Sequence, residues 1–283
     1  MLIYKHQMVW SQWVLRPVIA RKTLEETTMT VRLFAMTCGW LTMPAKFILD
    51  KMAGELRLPI PGYLIVHPNG KAVFDSGLHT SLQTGSTERL GSMASIAKVE
   101  FNPGEELRGR LATLDVAPED ITYLINSHLH FDHAGGNDQV PNARMVVQKP
   151  EWEAAMDPDL AHKNGFDKRD FDLGQDVQQI SGEHDLFGDG SVTLFPTYGH
   201  TPGHQSMKIK LARGDVVLTG DACYMRKTLD DLHLPHRNFQ HDREGMLASL
   251  QKFRDLQKRG ARIFYGHDPE HWANVPQAPL EVV

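Results

Sequence analysis

The feature that most constrains this chain is the run SHLHFDHAGGN at residues 127–137. Three imidazoles and a carboxylate within six residues are costly to place together unless something positive gathers them. The run follows the strand-like residues Ile121–Ile125, so the first two histidines project from the end of a strand. Imidazole and carboxylate ligands suit Zn²⁺ and its first-row neighbours, whereas the alternative is a solvated His-rich loop. The spacing H-x-H-x-D-H predicts a metal site formed by His128, His130, Asp132 and His133.

Three further ligand candidates each follow an apolar run elsewhere in the chain: His200, Asp221 and His267. Ligands contributed by the ends of separate strands allow a rigid sheet to hold a metal site open at one edge. Together with the first four residues they make seven ligands. That number suits two ions that share one carboxylate.

With these motifs, the chain resembles the metallo-β-lactamase superfamily and, within it, the N-acyl-homoserine lactone lactonases. The resemblance spans roughly residues 30 to 270. It rests on the residues 127–137, 199–206, 221–224 and 264–268.

The resemblance implies a centre of two divalent transition-metal ions, Zn²⁺ first, with Co²⁺, Mn²⁺ or Fe²⁺ as alternatives. It implies that Asp221 bridges the two ions and that Tyr224 matches the lactonase tyrosine that hydrogen-bonds the substrate carbonyl. One ion would be held by His128, His130 and His200, and the other by Asp132, His133 and His267.

The activity implied by the resemblance is opening of the lactone ring of N-acyl-homoserine lactones, which destroys these quorum-sensing signals. Hydroxide held between the ions would attack the carbonyl, and Tyr224 would stabilise the oxyanion. Asp132 would then give a proton to the departing alkoxide. Another lactonase or ester hydrolase is the main alternative.

Two hydrolases of the same superfamily, and a class that is not enzymatic, fit less well. A glyoxalase-II-like thioesterase would add a C-terminal helical region, whereas only sixteen residues follow His267. A β-lactamase would commonly replace one ligand with cysteine or lack the bridging aspartate. A binding module with a decayed site would be expected to lose ligands.

The order of strand-like and helical segments fits an α/β protein with a four-layer αββα sandwich, the metallo-β-lactamase fold. Its site would lie along one edge of the paired sheets. Residues 29–283 are expected to form a single catalytic domain, and residues 1–28 an N-terminal extension. The extension, with Trp10 and Trp13, is either a docking arm or the result of an upstream start, because Met29 could itself begin the chain.

Composition excludes several partner classes. A formal net charge of −5 without a basic stripe argues against nucleic acid. The sequence contains no run of eighteen apolar residues, so no membrane span is expected. Only two cysteines are present, so no disulfide framework is expected. We expect a cytoplasmic enzyme with a small-molecule lactone substrate and, by analogy with relatives only, a homodimer.

Several residues near the motifs have weaker expectations. His204 is expected to orient a loop or ligand, and Cys223 to be a packed thiol. Residues 157–185 are expected to form a surface segment that is helical in part, and residues 225–242 a loop bordering the substrate entrance, with its histidines solvated. Candidates for contacts with the acyl chain, against the alternative of ordinary core, are Trp40, Met43 and Phe47.

Overall fold

Two β-sheets face each other across the central core, and helices pack on both outer faces. The computed structural model describes residues 30–85 and 87–283. The extension predicted over residues 1–28, with Trp10 and Trp13, lies outside the described residues, and its role stays a prediction. The αββα arrangement predicted from the sequence is confirmed.

The larger sheet combines an antiparallel half with a parallel half, in the order β4-β1-β2-β3-β5-β6-β7. Strands β4, β1, β2 and β3 pair antiparallel, whereas β3, β5, β6 and β7 pair parallel. Its strands are β1 (Arg32–Pro44), β2 (Glu55–His67), β3 (Gly70–Phe74), β4 (Lys98–Glu100), β5 (Tyr123–Ile125), β6 (Arg144–Gln148) and β7 (Val177–Ile180).

The smaller sheet has the order β12-β11-β10-β9-β8, with only the β11–β12 pair parallel. Its strands are β8 (His184–Asp185), β9 (Val192–Pro196), β10 (Gln205–Leu211), β11 (Gly214–Leu218) and β12 (Arg262–Phe264). The helices are α1 (Leu107–Ala112), α2 (Phe131–Ala134), α3 (Lys149–Met156), α4 (Pro158–Asn164), α5 (Arg226–Asp231), α6 (Arg243–Lys258) and α7 (Pro269–Trp272).

Alternation along the strands divides the core into layers. Inward side chains such as Phe74 of the larger sheet and Met207 of the smaller meet between the sheets. On the outer faces, Leu107 of α1 covers the larger sheet, whereas Phe253 of α6 covers the smaller one. Because both faces of each sheet are covered, the strands are rigid, and the strand ends can hold side chains in fixed positions. Among the described residues, no helix is both long and apolar enough to cross a membrane.

Candidate metal centre

All seven candidate ligands lie at one edge of the sandwich, where strands from both sheets end. The larger sheet contributes the loop after β5 and the short helix α2, and the smaller sheet contributes the segments after β9, β11 and β12. All of these side chains are buried except that of His130, which is half-buried. The structure therefore brings together every ligand that the sequence predicted, namely His128, His130, Asp132, His133, His200, Asp221 and His267.

Small residues allow these loops to approach one another closely. A Cβ at Gly135 would lie 2.3 Å from the carbonyl oxygen of Phe131, and one at Gly136 would lie 2.4 Å from that of Ser76. Gly220, directly before Asp221, has φ +51°, and a Cβ there would lie 2.8 Å from Ser127 Cβ. The Ala-Gly-Gly end of the histidine motif is thus required for the loop to pack.

The first cluster contains three imidazoles and one carboxylate oxygen. His128 Nε2 lies 2.8 Å from His130 Nδ1, and His200 Nε2 lies 3.2 and 3.1 Å from these two atoms. Asp221 Oδ2 is 3.5 Å from His200 Nε2. Four ligand atoms converge on one point, which is the donor set that a first-row divalent ion prefers.

The second cluster contains Asp132, His133 and His267, and it shares Asp221 with the first. Asp132 Oδ2 lies 3.7 Å from Nε2 of both histidines. The other oxygen of Asp221, Oδ1, lies 2.9 Å from His267 Nε2 and 3.3 Å from His133 Nε2. Asp221 thus points one oxygen at each cluster. Among the described residues, His133 Nε2 and Asp221 Oδ1 are buried without a hydrogen-bond partner, which a cation would satisfy.

In each of the five histidine ligands, the ring nitrogen that points away from the cluster donates a hydrogen bond to a neighbouring group, and this hydrogen bond fixes the tautomer of the ring. A proton on that nitrogen leaves the nitrogen that faces the cluster with a free lone pair for a metal. The acceptors are Ser127 Oγ for His128, the Asn164 carbonyl for His130, Asp75 Oδ2 for His133, the Phe239 carbonyl for His200 and the Pro59 carbonyl for His267. His130 alone presents Nδ1 to the centre, because its Nε2 donates to Asn164 at 2.7 Å.

Asp75 is the main site residue that the sequence reasoning missed. Its buried carboxylate accepts hydrogen bonds from Ser127 N at 2.6 Å, from Ser127 Oγ at 2.8 Å and from His133 Nδ1 at 2.8 Å. Asp75 has φ 58°, a left-handed conformation that is uncommon for a residue other than glycine. The available signal was an aspartate directly after the apolar strand that ends at Phe74, before Ser76-Gly77.

Electrostatics at the centre favour a bound cation. Burial, followed by repulsion from neighbouring imidazoles, holds the pKa of His128 well below its usual value. Burial alone would raise the pKa of Asp221, but His267 and His133 outweigh it and hold that pKa well below the usual range. Burial would lower the pKa of His133, whereas Asp221, Asp132 and Asp75 together raise it well above the usual value. The three carboxylates thus attract positive charge to the second cluster.

Tyr224 lies beside both clusters. It is 2% exposed, its ring stacks on His267 with centroids 5.8 Å apart, and its hydroxyl is 3.2 Å from His200 Nδ1. Burial raises the pKa of Tyr224 well above its usual value. Since His200 Nδ1 carries a proton for the Phe239 carbonyl, the tyrosine oxygen accepts there, and its own proton is available to another acceptor, such as Asp221 or a substrate oxygen.

The centre forms the floor of a cavity of about 770 Å³. Asp132, Asp221 and Tyr224 line its polar end. Its apolar wall is formed by Leu41, Met43, Phe47, Ile48, Leu58, Leu90, Met93, Ile96 and Phe239. The prediction that Trp40 contacts an acyl chain does not agree with this lining, because Trp40 packs instead under the guanidinium of Arg57, 3.9 Å from the ring centroid.

Two segments agree with their predictions in part: the helical part expected in 157–185 is α4, and the 225–242 segment lies at the cavity. The 157–185 segment is not only surface: residues 162–168 line the cavity, and Val177–Ile180 forms strand β7. The 225–242 loop borders the cavity as predicted, and His241 is exposed as expected, but His233 is only half-exposed and its Nε2 lies 2.5 Å from the Asp50 carbonyl oxygen. His204 stays outside both clusters and accepts a hydrogen bond from Ala222 N, beside Asp221.

The sequence profile of the metallo-beta-lactamase superfamily matches residues 57–267. The N-acyl homoserine lactonase AttM of Azorhizobium caulinodans is 33% identical over 88% of this chain and 97% of its own length. The N-acyl homoserine lactonase AiiA of Bacillus thuringiensis subsp. kurstaki is 32% identical over 76% of this chain and 83% of its own.

Solved structures give the same relationship. An N-acyl homoserine lactone hydrolase with the product N-hexanoyl-L-homoserine at its catalytic metal centre superimposes with a TM-score of 0.79 and 28% identity, covering 90% of this chain and 100% of that one. The dizinc lactonase AidC shares the fold, with a TM-score of 0.64 and 17% identity over 84% of this chain and 88% of that one. The chain belongs to the metallo-β-lactamase superfamily.

Proposed function

We propose that this protein hydrolyses N-acyl-homoserine lactones by opening the lactone ring. The observation that carries the proposal is a pair of ligand clusters, sharing Asp221, on the floor of a cavity that has one apolar wall. The names of the curated relatives support the same substrate class, since these relatives align over most of their own length.

We propose that His128, His130 and His200 hold one ion, that Asp132, His133 and His267 hold the other, and that Asp221 binds both. Zn²⁺ is the proposed metal, with Co²⁺, Mn²⁺ or Fe²⁺ as alternatives. When bound, such ions supply hydroxide at neutral pH and polarise a carbonyl oxygen.

Around these ions the chain supplies two further groups. The Tyr224 hydroxyl, whose proton is not needed by His200, is proposed to donate a hydrogen bond to the lactone carbonyl oxygen as negative charge develops there. The Asp132 carboxylate, which reaches the cavity, is proposed to take the proton from the oxygen that has attacked the carbonyl and to pass it to the ring oxygen as the acyl C–O bond breaks. Water is thus added across that bond, giving an N-acyl-homoserine.

The apolar wall suits the acyl chain. Met43 and Phe47, together with Phe239, line the cavity beside the centre, and Phe47 packs against Phe239 with centroids 5.5 Å apart. Each methylene buried against this wall contributes about 0.8 kcal/mol. We therefore propose that kcat/KM rises with chain length until the wall is filled.

One assay panel tests the proposal: an acyl-homoserine lactone series, a simple γ-lactone, a glutathione thioester and a cephalosporin. The expected result is that the acyl-homoserine lactones give the highest kcat/KM, and that a chelator abolishes the activity. Faster cleavage of the thioester or of plain esters would overturn the substrate class while leaving the superfamily assignment intact.

We further propose that residues 29–283 form one catalytic domain, that residues 1–28 are an appendage, and that the enzyme is a cytoplasmic homodimer. Light scattering of the purified full chain tests the dimer directly.

A further inference from the structure

Glu151 is a fully buried carboxylate that lies outside both metal clusters. It belongs to the first turn of α3, and its exposed fraction is 0%. Among the described residues, no cationic side chain pairs with it in an ion pair. A buried carboxylate without a counter-charge is costly unless other donors satisfy it, so its hydrogen bonds are informative.

Each oxygen of Glu151 accepts a backbone hydrogen bond from a different ligand loop. Oε1 accepts from Leu129 N at 3.1 Å, and Oε2 accepts from Gly203 N at 2.8 Å. Leu129 lies between His128 and His130. Gly203 follows His200 by three residues. One carboxylate therefore connects the two loops that carry the three imidazoles of the first cluster.

The contact between the His200 loop and the start of α3 is tightly packed as well as hydrogen-bonded. A Cβ at Gly203 would lie 2.2 Å from the backbone nitrogen of Glu151. Such a distance leaves room only for glycine, so the loop after β9 rests directly on the start of α3. The second cluster is held differently, because His133 and His267 have Asp75 and the Pro59 carbonyl as their partners.

From this geometry we infer that Glu151 is a positioning residue for one of the two metal sites: it sets the separation between the His128–His130 loop and the His200 loop. The inference rests on the proposed dinuclear centre and assigns Glu151 to the first cluster alone. Replacing one carboxylate oxygen of Glu151 should therefore weaken the binding of one ion and leave the binding of the other ion nearly unchanged. Groups that orient metal ligands typically change metal affinity about 10- to 100-fold when replaced.

The test is a Zn²⁺ titration of metal-free protein against a chromophoric chelator, with no lactone present. Glu151→Gln keeps the shape but turns an amide NH₂ towards one of the two N–H donors. We expect one of its two Zn²⁺ affinities to fall about 10- to 100-fold while the other stays within about threefold. The matched control is Glu153→Gln, an exposed carboxylate on the same helix that pairs with Lys149 at 3.6 Å, and it should bind as the parent does.

If Glu151→Gln does not fold, as judged by circular dichroism, Glu151→Asp replaces it. Aspartate keeps the charge but is too short to reach both N–H groups, so it should show the same selective loss. Two unchanged affinities in a folded variant, or an equal fall in both, would overturn the inference. If the parent itself binds fewer than two ions, the proposed function fails instead, so the two failures are distinguishable.

Discussion

Replacing Tyr224 with phenylalanine should slow lactone opening while leaving the metal centre intact. The ring keeps its stacking on His267, and His200 Nδ1 keeps its hydrogen bond to the Phe239 carbonyl at 3.0 Å. The variant loses the neutral hydrogen bond to His200 Nδ1, at 3.2 Å, which contributes about 1 kcal/mol to stability, together with the contact of the hydroxyl with Asp221. Folding and metal content should therefore be close to those of the parent.

The size of the expected fall in kcat/KM follows from the role proposed for the Tyr224 hydroxyl. A fully engaged oxyanion donor contributes about 3 kcal/mol. A metal bound in the proposed site would polarise the same carbonyl oxygen, so we expect a smaller loss of about 1–2 kcal/mol, or about 5- to 30-fold in kcat/KM.

The assay measures kcat/KM for ring opening of N-hexanoyl-homoserine lactone, with metal content determined in the same preparation. Tyr198→Phe is the matched control, because its hydroxyl donates to Gln148 Oε1 at 3.2 Å and it does not line the cavity. Equal rates for parent and Tyr224→Phe would refute the reasoning and leave Tyr224 a structural residue. A loss of metal would refute it differently, by showing that the hydroxyl is needed for ligand geometry.

Four further predictions concern the centre and the chain around it. Asp221→Ala should reduce bound metal below two ions per chain and abolish lactone hydrolysis, as measured by elemental analysis and the same assay. Asp75→Asn should lower the affinity for the ion proposed to bind His133 about 10- to 100-fold in a metal titration, because one acceptor oxygen of Asp75 becomes a donor. Burial raises the pKa of Glu151 from 4.5 to about 7, so the native state binds the extra proton. The unfolding free energy of the metal-free parent, relative to Glu151→Gln, should therefore fall by about 3 kcal/mol between pH 4.5 and pH 7 in urea titrations; no fall would contradict the burial argument. A chain that starts at Met29 should hydrolyse lactone at the parental rate, and a large loss would show that the preceding residues bury surface.

The sequence was most informative where a local pattern decides the structure. The amphipathic pattern of residues 243–258, ended by Gly260, predicts a helix with the bounds Arg243–Lys258 that α6 has, and Asp242 caps its start. The candidate ligands could be found because each follows an apolar run, and the ends of strands gather at one edge. Their role as metal ligands stays a prediction.

What the sequence could not supply depends on contacts between distant residues. Asp75 and His133 are 58 positions apart, and Glu151 and Gly203 are 52 apart, so neither pair forms a periodic pattern. The Asn164 and Phe239 carbonyls that orient two imidazoles belong to the backbone, so side-chain identity carries no signal for them. The apolar residues 31–36 predict a first strand, but β1 continues to Pro44, because pairing with β2 and β4 extends it.

Both ligand clusters draw side chains from both sheets, and this has a consequence for folding. Each cluster combines residues from the loop after β5 with residues that follow strands of the smaller sheet, such as His200 and His267. A cation in either position would be a reversible cross-link between two layers that are also joined by apolar packing and by a few hydrogen bonds, such as that from Gln205 Nε2 to the Asn126 carbonyl. At a metal concentration about a thousand times Kd, each such link stabilises the folded chain by about 4 kcal/mol. Metal supply during synthesis should therefore govern how much folded protein accumulates, before any substrate is turned over.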